Sequence, residues 1–145
     1  MTHEISAAVL AAIPHRPPML LVDSIVEQSA DKILCRKTFR PEEYFLQGHF
    51  PNFPLVPGVI LCECALQSGA ILLASNMEGS DHVPVATRID NVKFKQMVRA
   101  GDSVDIEVTL TDSVSSAYFM TGKVTCNGKL AARLDFACTI TKPAT

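Results

Sequence analysis

The sequence lacks any excess of positive charge. Its 13 Lys and Arg face 15 Asp and Glu, for a formal net charge of -2 and a pI near 6.0. A primary nucleic-acid partner needs a basic footprint, so that class is excluded, while a small basic patch for an acidic protein is not. Tryptophan is absent, and the composition is otherwise that of an ordinary globular protein. No disulfide framework is legible: Cys35, Cys62, Cys64, Cys126 and Cys138 are odd in number and irregularly spaced. No basic segment precedes the short apolar stretch Ala7 to Ile13, so a signal peptide is not expected. The longest apolar run, Val59 to Ala74, is interrupted by Glu63, Gln67 and Ser68 and is too short and polar for a membrane span. A reducing cytoplasm is the expected setting. Repeats, low-complexity tracts and long linkers are also missing. One domain is expected over residues 1–145, a length that can bury a core without disulfides or metal.

What is present reads as one helix among strands. Glu4 to Ala12 predicts a short helix stopped by Pro14. Met19 to Val26 and Lys32 to Phe39 predict strands, and four prolines make Pro41 to Pro57 a loop. Gly58 to Met77 predicts a long helix, apolar on nearly every side and hence wrapped by other structure, with Asn76 and Gly79 marking its end. Val83 to Phe94, Ser103 to Leu110 and Ala117 to Cys126 follow as strands. Val104, Ile106, Val108 and Leu110 share one face. Asn127-Gly128 predicts a type I′ hairpin. The last strand turns Leu130, Leu134, Phe136, Cys138 and Ile140 inward. The fold class is therefore α+β, with about five or six antiparallel strands wrapped around a central apolar helix.

Chemistry concentrates between Gly48 and Gln67. His49 lies in a loop stiffened by Pro51, Pro54 and Pro57, and imidazole exchanges protons near neutral pH. Glu63 falls within an otherwise apolar helix. It is either paired there or a general acid with a raised pKa. Gln67, one turn on, shares its face and is positioned to fix its rotamer by a hydrogen bond. Gly58 opens the helix, where free N–H groups suit a developing oxyanion. Each feature also has a plain structural reading: a solvated loop histidine, an ion-paired glutamate, a Pro-Gly helix start. Their order is more specific than any one of them. Cys62 and Cys64 flank Glu63 on sides that do not face each other, and read as core.

The segment resembles the 3-hydroxyacyl–acyl carrier protein dehydratases of bacterial-type fatty acid synthesis, which have the hot-dog fold. That family carries His-Phe-Pro-x-x-Pro-x-x-Pro-Gly-Val with an acidic residue 14 positions after the His. The matches here are His49, Phe50, Pro51, Pro54, Pro57, Gly58, Val59 and Glu63. Glu in the acidic place resembles the dehydratase-only branch. The resemblance extends to Pro14-His15-Arg16, Pro18, Leu20-Leu21-Val22-Asp23, Phe94-Lys95 and Gly101-Asp102, over roughly residues 10 to 141.

The resemblance implies a lyase without metal or other cofactor. His49 would take the α-proton of a thioester, Glu63 would protonate the leaving hydroxyl, and the Gly58 N–H would polarise the carbonyl. It implies a homodimer in which the His of one subunit meets the acidic residue of the other, and further assembly as a trimer of dimers. The substrate would arrive on the phosphopantetheine arm of acyl carrier protein, an acidic partner, with Lys93, Lys95 and Arg99 as docking candidates. Phe53, Ile60 and Leu66 are candidates for an acyl tunnel, and equally plain core. The chain departs from the family pattern at Asn52, at Leu66, and at Gln96, Met97 and Ala100, which replace an Arg and two prolines. Those departures bear on chain length and carrier recognition. The alternatives are a hot-dog acyl thioesterase and a non-catalytic acyl-carrier-binding paralogue.

Overall fold

The computed structural model describes residues 4–75, 77 and 82–141. A short helix, α1 (Ala7–Ala12), leads to two strands, β1 (Ser24–Gln28) and β2 (Lys32–Thr38). A 3-10 turn (Tyr44–Leu46) interrupts the proline-rich loop before the long helix α2 (Gly58–Ala74). Four strands complete the chain: β3 (Val83–Phe94), β4 (Ser103–Val114), β5 (Ala117–Cys126) and β6 (Lys129–Thr141). Among the described residues the strands form one six-stranded antiparallel sheet in the order β1-β2-β4-β5-β6-β3.

The sheet wraps α2, as its all-round apolarity requires. Leu61, Cys64, Ala65, Ser68, Ile71, Leu72 and Leu73 are all buried. On the sheet side Ile33, Cys35, Val104, Ile106, Val108, Val124, Leu134 and Phe136 close over them. The contact is close enough to need a bare backbone: a Cβ on Gly122 of β5 would stand 2.9 Å from the Ala65 methyl. The Asn127-Gly128 turn has φ of 54° and 76°, the type I′ signature expected for it.

Several elements differ from expectation, β4 for instance running on to Val114. Helix α1 starts at Ala7, because the Ser6 hydroxyl caps it by accepting from the Ala8 N–H at 3.1 Å. Helix α2 ends at Ala74, and Asn76 and Gly79 lie outside the described residues. Strand β1 begins at Ser24, not Met19. Leu20, Leu21 and Val22 are buried in succession rather than alternately, and a helix side chain, not a sheet partner, takes the Leu21 N–H and the Met19 carbonyl. In β6, Leu130 is only half-buried while Ala131 and Ala132 are both buried, because a bulge at Val124/Thr125 shifts the register. Among the described residues no helix is long and apolar enough to cross a membrane.

Candidate active site

The His49 loop is a small closed unit. The Leu55 N–H donates to the His49 carbonyl at 2.8 Å, and inside that ring Phe50 and Phe53 exchange backbone hydrogen bonds at 3.1 and 3.0 Å. The imidazole stacks on the Phe50 ring with centroids 4.5 Å apart. Leu55 is itself held by a bridge to Arg99, and the Val56 N–H donates to the Val98 carbonyl at 2.8 Å. The loop therefore takes its position from the sheet through the 98–99 segment.

That framework sets the tautomer. His49 Nδ1 lies 2.9 Å from the Leu55 carbonyl oxygen, which can only accept. Nδ1 must carry the proton, so in the neutral ring Nε2 is the free base. The ring opens on a cavity of about 470 Å³ lined also by Leu55, Val56, Pro57, Gly58, Val59 and Phe94.

One wall of the cavity is the start of α2. Pro57 offers no side-chain cap, and the Ile60 N–H turns back to the Pro57 carbonyl at 2.9 Å. Among the described residues the Gly58 and Val59 N–H groups have no partner, so two donors with the helix dipole behind them border the cavity. Gly58 leaves room for the Phe94 ring: a Cβ there would lie 2.7 Å from it and would displace that exposed side chain.

Glu63 is half-buried, one turn inside α2. Gln67, only 1% exposed, donates from Nε2 to Glu63 Oε2 at 2.9 Å, as its spacing predicts. The same amide donates to the Met19 carbonyl at 2.9 Å and accepts the Leu21 N–H at 2.7 Å. Gln67 thus holds the Leu20 segment at Met19 and Leu21 and fixes the Glu63 carboxyl at once. Burial raises the thiol pKa of Cys62 and Cys64 on either side, so both stay protonated and apolar. Among the described residues no group of three or more His, Cys, Asp or Glu could hold a metal ion.

The chain brings His49 and Gly58 to one cavity but not Glu63, which neither lines it nor bonds to His49. Phe53, Ile60 and Leu66 do not line it within one chain either. Phe53 is exposed beneath the Arg99 guanidinium, 4.6 Å from its ring, and Ile60 and Leu66 pack against the core. Gln96 and Met97, from the loop that departs from the family pattern, do line it, and so do Leu61 and Phe94, which sequence reasoning missed as wall residues.

It also missed a buried ion cluster. Lys37, 2% exposed, reaches Glu43 at 2.6 Å and Asp23 at 3.8 Å. Glu43 also accepts the Arg40 N–H, and Asp23 the Thr38 N–H. The cluster ties the start of the His49 loop to β2. The available signal was Lys37 itself, standing in line with the inward-facing Ile33, Cys35 and Phe39.

A sheet curled around one central helix, with a histidine loop at the helix N-terminus, is the hot-dog architecture. Two solved structures share the fold. The dehydratase heterocomplex ApeI:P from Xenorhabdus doucetiae superposes with a TM-score of 0.80 over 94% of this chain and 91% of that one, at 17% identity. The E. coli PaaI protein from the phenylacetic acid degradation operon gives 0.65 over 80% and 81%, at 16% identity. Residues 25–132 match the family described as ApeI-like, ApeI dehydratase. Curated relatives named 3-hydroxyacyl-[acyl-carrier-protein] dehydratase FabZ are closer in sequence. That of Clostridium perfringens is 39% identical over 119 residues, covering 82% of this chain and 86% of the relative. That of Streptococcus pyogenes serotype M3 is 37% identical over 132 residues, covering 90% and 95%. The chain belongs to the 3-hydroxyacyl-[acyl-carrier-protein] dehydratase family.

Proposed function

We propose that this enzyme removes water from 3-hydroxyacyl groups carried on acyl carrier protein, giving the trans-2-enoyl thioester in fatty acid or related lipid biosynthesis. The observation that carries the reading is the His49 ring, its Nδ1 committed to the Leu55 carbonyl and its Nε2 left as a base beside an uncapped helix start. His49 Nε2 takes the α-proton. Charge then builds on the thioester oxygen, where the Gly58 and Val59 N–H groups receive it. Hydroxide leaves poorly, so Glu63, held by Gln67, gives it a proton. These steps require no metal or redox cofactor.

Because Glu63 does not line the cavity of its own chain, the working site joins two copies. Strand β3 supports that arrangement. It is a 12-residue sheet edge with Val85, Ile89, Val92 and Phe94 all exposed. So long and apolar an edge is a template for pairing. Self-pairing about a two-fold axis brings the second copy beside Phe94, and hence beside the cavity. The five cysteines are free and buried, in keeping with work in a reducing cytoplasm.

The test is incubation with 3-hydroxyacyl carrier-protein substrates of graded chain length. Enoyl absorbance should grow without free thiol. Thiol release would make the enzyme a thioesterase, and carrier binding without any product would make the protein a non-catalytic module.

A further inference from the structure

A charge buried in a strand needs a reason. Strand β2 turns Ile33, Cys35 and Lys37 inward, with Phe39 next in the same row, and an apolar side chain at Lys37 would simply continue it. Instead an ammonium only 2% exposed stands between two carboxylates, Glu43 at 2.6 Å and Asp23 at 3.8 Å, and 5.6 Å from the centre of the Phe39 ring. Buried ion clusters are often no more stable than apolar packing of the same volume, so stability alone does not account for this one. What a charged pair at 2.6 Å adds is a defined direction and distance.

The two carboxylates depend on Lys37 unequally. Asp23 is tied to β2 without it. Its Oδ2 accepts the Thr38 N–H at 2.7 Å, and its own N–H donates to the Arg36 carbonyl at 2.9 Å. Glu43 belongs to the loop. Its Oε2 accepts the Arg40 N–H at 2.9 Å and its N–H donates to the Arg40 carbonyl at 3.1 Å, and both bonds stay within that loop. Among the described residues, the Lys37–Glu43 pair is the only hydrogen bond or ion pair that joins residues 40–48 to a strand. Phe45 also meets Phe39 edge-on, with centroids 5.9 Å apart, but an apolar contact fixes depth better than register.

From Glu43 the hold passes along the Tyr44–Leu46 turn to the imidazole. The Glu43 carbonyl accepts the Leu46 N–H at 3.0 Å, and the Leu46 carbonyl accepts the His49 N–H at 3.4 Å. At the other end the ring is bound by the Leu55 carbonyl. His49 therefore hangs between two attachments to the sheet: β2 through Lys37, and the 98–99 segment through Leu55 and Val56.

Taking His49 as the base of the preceding section, we propose that Lys37 is its positioning residue: the buried ammonium holds Glu43 and, through the Tyr44–Leu46 turn, sets where Nε2 meets the α-carbon. Without it the Leu55 end still holds the ring while the Leu46 end drifts. A displacement of about 1 Å arising far from the chemistry is enough to slow a reaction on the order of a hundredfold.

The test compares wild type with Lys37→Met, and with Ile33→Ala, a core truncation on the same strand outside the cluster, as the control for lost stability. Both are assayed as folded, assembled protein. Lys37→Met should lower kcat about tenfold with KM within about twofold, and Ile33→Ala should keep kcat. The proton on His49 Nδ1 supplies a second readout. In protein made with isotopically labelled histidine, its NMR signal is assigned by its loss in His49→Ala. The signal should shift or broaden in Lys37→Met and stay in place in Ile33→Ala. A wild-type kcat in folded Lys37→Met would overturn the proposal. So would an equal fall in Ile33→Ala, which would make lost stability the cause. Should Lys37→Met not fold, Glu43→Gln, of the same shape without the charge, replaces it, with an expected loss of about threefold in kcat and the same refutation. If no 3-hydroxyacyl substrate gives enoyl product, the dehydratase reading fails, while the His49 signal still decides whether Lys37 sets the ring.

Discussion

Replacing Gln67 by Leu keeps most of the side-chain volume and removes every hydrogen bond of a residue only 1% exposed. The Leu21 N–H, buried and bound at 2.7 Å, loses its acceptor. An orphaned buried donor costs about 1–3 kcal/mol. The Met19 carbonyl and the Glu63 carboxyl each lose a donor at 2.9 Å, worth about 0.5–1.5 kcal/mol apiece. A loss of about 2–6 kcal/mol follows, and a Tm lower by roughly 6–20 °C for a chain of this size. Catalysis should suffer separately, because Glu63 is no longer held. A fall in kcat of about tenfold with little change in KM is expected for a proton donor that has lost its orientation. Urea denaturation and steady-state dehydration on the same preparation measure both. An unchanged unfolding midpoint would refute the claim that Gln67 anchors the Leu20 segment. Normal kcat in a destabilised but fully assembled variant would refute its hold on Glu63.

Mixing His49→Ala with Glu63→Gln, each inactive alone, should restore about a quarter of wild-type activity after subunit exchange, since half the dimers are then mixed and each has one intact site. No recovery despite exchange proven by mass spectrometry would refute the shared site. Lys37→Met should destabilise by about 3–5 kcal/mol, because it strips Glu43 of its cation in a buried setting; chemical denaturation reads this, and a neutral outcome would mean the cluster is dispensable. Burial raises the thiols of Cys35 and Cys138 to about 11. Stability is therefore full below the unfolded thiol pKa of about 8.5 and falls as pH rises toward 11, by roughly 2–3 kcal/mol per thiol. Unfolding at pH 7 and 10.5 should show that loss, and Cys35→Ala should reduce it.

How much of this was legible in the sequence depended on whether the signal was local. The central helix, the clean alternation of Val104, Ile106 and Val108, and the Asn127-Gly128 turn each depend on residues close in the chain, and each formed as read. The Glu63–Gln67 bond was legible for the same reason, being one helical turn. The Met19–Asp23 segment was misread because the Leu21 N–H goes to a side chain 46 residues away, and strand propensity contains no trace of Gln67. The Lys37 cluster likewise joins three separate elements. The missed cavity residue Phe94 comes from a strand end that only the sheet order brings to the helix start.

An imidazole tethered through one nitrogen has a single working edge. With its other atom bound to Leu55, the ring cannot turn over between picking up a hydrogen and handing it back. Run in reverse in heavy water, hydration of the enoyl product should deliver deuterium to only one of the two prochiral positions at the α-carbon. NMR of the recovered hydroxyacyl chain would show one diastereomer, whereas label at both positions would mean that the deuteron reaches the α-carbon from both faces and not from a fixed His49.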